Sequence, residues 1–158
     1  MPQVSTCLWF DNDAEAATRF YVDLVPGSAI EQVLRAPGDW PGGAAGEVIL
    51  VSFTLAGQPF QALNGGTRAD YGTAASIFLR CADQAEVDRL WDGLIGAGGA
   101  PIQCGWLRDP WGVPWQIVPE VLLRLMATPD HAANARVFAA MSAMIKLDVA
   151  ALERAAKG

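Results

Sequence analysis

Few side chains in this sequence are suited to chemistry. There is one histidine, His131, and there are three cysteines, Cys7, Cys81 and Cys104, with no metal-type spacing among them. His131 falls in the first turn of a predicted helix, whose positive end disfavours an imidazolium. Cys104 has no histidine near it in sequence to act as a base, so its thiol reads as inert. Asp109 opens Asp109-Pro110-Trp111-Gly112, where an aspartate followed by proline more simply starts a β-turn. The remaining candidates are two glutamines in matching settings. Gly112-Val113-Pro114-Trp115-Gln116 repeats Gly57-Gln58-Pro59-Phe60-Gln61, both reading glycine, any residue, proline, aromatic, glutamine. Each run ends on a neutral amide where a carboxylate would make a metal ligand.

The elements that must position these residues are themselves duplicated. Val4 to Phe10 is rich in β-formers and stops at Asp11-Asn12-Asp13, so it reads as a strand running into a helix capped by Asp13. Ala17, Phe20, Tyr21 and Leu24 then recur at helical spacing, and Pro26-Gly27 ends the helix. The same order returns with Ser76 to Cys81, a cap at Asp83, and Val87, Leu90, Trp91 and Leu94. A shift of 70 residues takes Asp13 to Asp83 and Thr6 to Ser76, and a shift of 55 takes Gln61 to Gln116. The loop Ala36 to Gly46 accounts for the shortfall as an insertion. Further strands are expected at Ala29 to Leu34, Val48 to Leu55, Pro101 to Gln103 and Gly105 to Arg108. Each unit is then β-α-β-β-β. Beyond Pro119 the pattern turns helical, over Val121 to Met126, Ala132 to Ile145 and Val149 to Ala156. A cap is expected at Thr128-Pro129-Asp130, with proline in the first turn.

A doubled β-α-β-β-β module with Asp-Pro-x-Gly before its last strand resembles the glyoxalase, or vicinal oxygen chelate, superfamily. LWFDNDAEAATRFY, ALNGG, CGWLRD, GVPWQIVP and the helical tail resemble its PhnB-like branch in particular, often labelled 3-demethylubiquinone-9 3-methyltransferase. The resemblance implies an α+β fold of the glyoxalase/bleomycin-resistance/dioxygenase type with a C-terminal helical extension. Modules are expected over about 1–66 and 74–119, and the extension over 120–158. In metal-using relatives, His or Glu on the first and last strands of each module hold a divalent ion in a cleft. Those positions fall here on Thr6, Gln61, Ser76 and Gln116. Two hydroxyls and two amides cannot supply the anionic or imidazole donors that Zn, Fe, Ni or Mn require, so the expected cleft is polar and metal-free. Trp106, beside a glycine and between polar residues, is expected to line it, whereas Trp9, Trp91, Trp111 and Trp115 read as core or turn packing. The methyltransferase label finds no support in the residues. S-adenosylmethionine enzymes usually hold the cofactor on a glycine-rich turn after a first parallel strand, and none is visible.

Composition narrows the partners. With 158 residues, 52% hydrophobic and 18% charged, the chain can bury a sizeable core. A net charge of −6 repels nucleic acid and anionic membranes, and no apolar run reaches the roughly 18 residues of a membrane span. An odd number of cysteines fits a reducing compartment, which makes the cytoplasm the expected location. The reading is a binder of a small organic molecule with no cofactor, reaction unassigned. Two alternatives stand beside it: a metal-dependent lyase, dioxygenase or resistance enzyme recruiting Asp109, His131 or Cys104, and an interaction protein with a vestigial cleft. Apolar stripes in the tail, including Val121, Leu122, Val137, Phe138 and Ile145, point to a homodimer, its modules paired within or between chains.

Overall fold

The computed structural model describes residues 2–158. The chain divides into two compact units, one ending at Asp70 and one running from Tyr71 to Gly158. The first contains β1 (Thr6–Phe10), α1 (Ala14–Leu24), β2 (Ala29–Arg35), β3 (Val48–Leu55) and β4 (Gln58–Asn64). The second contains β5 (Ile77–Cys81), α2 (Gln84–Gly96), β6 (Ala100–Pro101), β7 (Trp106–Arg108) and β8 (Pro114–Pro119), followed by α3 (Glu120–Met126), α4 (His131–Ser142) and α5 (Val149–Lys157). The sheets have the orders β1-β4-β3-β2 and β5-β8-β7-β6, each with its first and last strands paired in parallel. The expected α+β architecture of two β-α-β-β-β modules with C-terminal helices is therefore present.

Alternation along each strand decides what each sheet buries. In the first unit Leu8, Phe10, Val51, Phe53, Leu55, Phe60 and Ala62 are buried with Ala17 and Tyr21 of α1. Phe53 stacks on Phe60 with ring centroids 5.4 Å apart, and Tyr21 lies 6.3 Å from Phe53. In the second, Ile77, Leu107, Trp115 and Ile117 are buried with Val87, Leu90, Trp91 and Leu94 of α2. The register of β3 and β4 follows from the two residues between them. Ala56 and Gly57 both have positive φ, 48° and 80°, as a type I′ hairpin turn requires, so Leu55 faces Gln58 and Ser52 faces Gln61.

The helix starts depart from expectation in one place. Asp83 caps α2 by accepting from the Glu86 N–H at 2.9 Å, and Glu86 accepts in return from the Ala82 N–H. Asp13 makes no such bond. Asn64, buried at the end of β4, accepts from the Ala14 N–H at 2.9 Å, so the start of α1 is satisfied by a residue 50 positions away. Asp130 caps α4 at the Ala133 N–H, with Pro129 before the cap rather than inside the helix.

The C-terminal helices belong to the core of the second unit. Val118 and Leu122 cluster with the fully buried Val137, Leu147 and Leu152. Two backbone bonds tie the segment after α4 to the loop before β7, from the Cys104 N–H to Met144 O and from the Gly105 N–H to Ile145 O, both 2.8 Å. Gly105 has φ of 81°, and a Cβ there would lie 2.9 Å from both Ile117 O and the Leu147 side chain, so only glycine fits. Gln84 on α2 bonds both Leu147 O and the Val149 N–H. Lys146 reaches Asp88 and Asp92 on α2 at 2.6 and 3.0 Å. Hydrogen bonds from Lys146 and then Gln84 hold the Asp88 carboxyl below its ordinary range. Partial desolvation opposes the Lys146 charge, but the bonds to Asp88 and Asp92 outweigh it and raise its pKa. The tail's exposed apolar residues reduce to a few, chiefly Phe138, Ile145 and Leu123.

Two outcomes follow. Leu152→Ala, at a fully buried site, should cost about 2–5 kcal/mol in urea unfolding, as for other leucines in closed cores. A depressed carboxyl contributes stability that is present above the unfolded pKa of about 3.9 and is lost as pH falls through the lower folded value. Lys146→Met should therefore lower the urea midpoint at pH 7, and its difference from the parent chain should shrink toward pH 2. A difference independent of pH would show that the ion pair adds nothing.

Candidate functional site

Each sheet has a face turned away from its helix, and most of the candidate residues lie there. On β8, Trp115 and Ile117 are fully buried on the α2 side and the half-buried Gln116 points the other way. Its amide nitrogen donates to Ser76 Oγ at 2.8 Å. Trp106 is its register partner on β7, and Phe78 on β5. Ser76, Gln116 and Trp106 thus share one face of the sheet. In the first unit Gln61 is half-buried on β4, and Ser52 Oγ donates to its Oε1 at 2.7 Å.

Thr6 is not brought together with Gln61. The parallel register pairs Thr6 with Phe60 and Cys7 with Gln61, so Thr6 starts the helix-packed face and Cys7 stands beside the amide. The two units repeat at different intervals along their length. In the strands Cys7 and Phe78 are equivalent, each opposite its glutamine, which is a shift of 71. The helix caps keep a shift of 70 because Asp11 and Asn12 separate β1 from Asp13, whereas Ala82 alone separates β5 from Asp83. One residue of slip along a strand exchanges its faces.

Sequence reasoning missed Ser52, Cys7 and Phe78. Ser52 carried a readable signal, since a two-residue turn at Ala56-Gly57 places it opposite Gln61. Trp9, expected in the core, is instead 40% exposed beside Gly65 and donates from Nε1 to Thr67 O at 2.8 Å. A hollow of about 350 Å³ is lined by Thr73, Ile102, Gln103, Cys104 and Trp106. Cys104 stands at its rim with φ of 56°, rare for a side chain other than glycine or asparagine.

The other ionisable candidates have structural surroundings. Asp109 is buried, and its Oδ1 accepts from the Trp111 and Val113 N–H groups, both at 2.9 Å, while Oδ2 accepts from Trp115 Nε1 at 3.0 Å. Its carboxylate is spent on holding the turn into β8. His131 is exposed at the start of α4. Burial, and then Glu86, push the Cys81 thiol up to about 12, and burial raises Cys7 as well. Neither favours a thiolate. Among the described residues no three His, Cys, Asp or Glu side chains stand close enough to hold a metal ion.

Two β-α-β-β-β modules with these sheet orders define the class: a protein of the glyoxalase, or vicinal oxygen chelate, superfamily. Within it, the chain belongs to the PhnB-like family described as 3-demethylubiquinone-9 3-methyltransferase, whose model matches residues 2–118. A PhnB protein from Bacillus cereus, described by the same activity, is 30% identical, with 75% of this chain and 99% of that one aligned at a TM-score of 0.66. A protein from Pseudomonas aeruginosa shares the fold at 21% identity, with 75% and 98% aligned and a TM-score of 0.61. No curated protein matches the sequence. The family match stops before α3, so the resemblance carried by the helical tail lies outside it.

Asp109→Ala would remove the carboxylate that accepts from three N–H groups. Each such loss costs about 1–3 kcal/mol where the donor is buried. The substitution should destabilise the chain by at least that amount in urea unfolding, and an unchanged midpoint would mean the turn holds without the carboxylate.

Proposed function

We propose that this protein binds a small, uncharged organic molecule on the open polar faces of its two modules, without a metal ion. The observation supporting the reading is the donor set. Ser52 with Gln61, and Ser76 with Gln116, are neutral hydroxyl and amide pairs at 2.7 and 2.8 Å, with donors and acceptors left over for a ligand. Such groups hold Zn, Fe, Ni or Mn poorly, and Cys7, the one thiol beside them, has its pKa raised by burial. The metal that the superfamily implies does not fit these residues.

S-adenosylmethionine, which the family description implies, fits no better. The connections from strand to helix are Asp11-Asn12-Asp13 and Ala82-Asp83, with no glycine to let a backbone approach a cofactor and with carboxylates at the helix starts. The reading is therefore one of binding, and no methyl transfer is derived from it. A homodimer in the cytoplasm completes the proposal, motivated by Phe138 and Ile145, each more than half exposed on the tail.

Native mass spectrometry of the purified, untagged chain tests these points together. The expected result is a dimer with less than about 0.1 metal ion per chain. Stoichiometric Zn, Ni, Fe or Mn overturns the metal-free reading, and a single 16.8 kDa species overturns the dimer. For any compound the chain retains, Gln61→Leu or Gln116→Leu should weaken binding by about 1–3 kcal/mol, because a polar group loses its partner. Undiminished binding in both variants would leave the glutamines with a structural role only.

A further inference from the structure

The second unit places aromatic and polar groups around one point. Phe78 and Trp106 stand on the strands either side of Gln116, in register with it, about 4.8 Å away in each direction. Phe78 is 45% exposed and Trp106 half-buried, so each leaves part of an apolar ring uncovered beside the amide. The amide is oriented, because its nitrogen donates to Ser76 Oγ. That leaves Gln116 Oε1 as an acceptor with no hydrogen-bond partner among the described residues. On its other side Trp106 borders a separate hollow of about 350 Å³ that it lines with Thr73, Ile102, Gln103 and Cys104. Ser76, Phe78, Trp106 and Gln116 are uncharged. Arg108, further along the same face of β7, has its guanidinium on Gly72 O at 3.3 Å.

We propose that this patch is a subsite for a flat aromatic ring carrying one hydrogen-bond donor, such as a phenolic hydroxyl or a ring N–H. The ring packs between Trp106 and Phe78, and the donor reaches Gln116 Oε1. Aromatic faces favour stacked or edge contacts with such a ring, and a lone oriented acceptor selects a donor over an ether or a carboxylate. The subsite rests on the reading that the open sheet faces bind an organic molecule, and it adds what the second module recognises.

The test uses p-cresol and 4-methylanisole, in which a methyl group replaces the hydroxyl hydrogen, titrated into the full chain and followed by ¹H–¹⁵N NMR of side-chain amide and indole groups. p-Cresol should move the Gln116 amide and Trp106 indole signals, and 4-methylanisole should bind at least about tenfold more weakly. Trp106→Ala and Phe78→Ala should each weaken p-cresol by a similar factor. Phe78 is exposed enough that its replacement keeps the fold if Trp106→Ala does not. Equal binding of the two compounds, no loss in Phe78→Ala, or no binding at about 10 mM overturns the subsite. Binding that shifts the Gln61 amide and is weakened by Gln61→Leu alone also overturns it, while leaving metal-free binding by the open faces intact. Stoichiometric metal in the purified chain overturns that wider reading, and the p-cresol titration then still decides whether the ring site exists.

Discussion

Strand register is the constraint on which the rest of this structure depends. Side chains alternate between faces, so a single register assigns each residue either to the helix-packed core or to the open face. Two tight turns set it. Ala56-Gly57, with both residues at positive φ, aligns β3 with β4 and puts Ser52 against Gln61. The turn from Asp109 to Gly112, held by a buried carboxylate with three donors, delivers β8 so that Trp115 goes inward and Gln116 outward. The polar pairs are consequences of those turns.

The same constraint explains which features could be read from the sequence. Helix stripes such as Val87, Leu90, Trp91 and Leu94 declare their buried face through local spacing alone, and the doubled module follows from their recurrence. Gln116 was legible for a similar reason, since Trp115 and Ile117 flank it on a short strand. Thr6 was not. Its face depends on the length of a connection that differs by one residue between the modules, and a shift measured at the helix caps does not carry over to the strands. The Asn64 cap of α1 was invisible because it comes from 50 residues away in sequence. A capping aspartate stood in the expected place without making the bond.

The helical tail illustrates a limit of another kind. Its apolar positions were evident, but amphipathic spacing does not say which surface a helix covers. Val118 answers that question. It lies on the same face of β8 as Gln116, two residues further along, and is enclosed by Leu122, Val137, Leu147 and Leu152. The tail thus covers the Val118 end of the second module's open face, and the row beside it holds Gln116 between the exposed Phe78 and the half-buried Trp106.

The backbone bonds from Cys104 and Gly105 to Met144 and Ile145 give that arrangement a thermodynamic consequence. The rim of the hollow and the connection between α4 and α5 cannot move independently, because fraying of the tail releases two amides that also shape the rim. Linkage makes such coupling reciprocal. A compound that holds the rim in place must raise the free energy needed to open the tail, slowing amide exchange and proteolysis at helices it never touches.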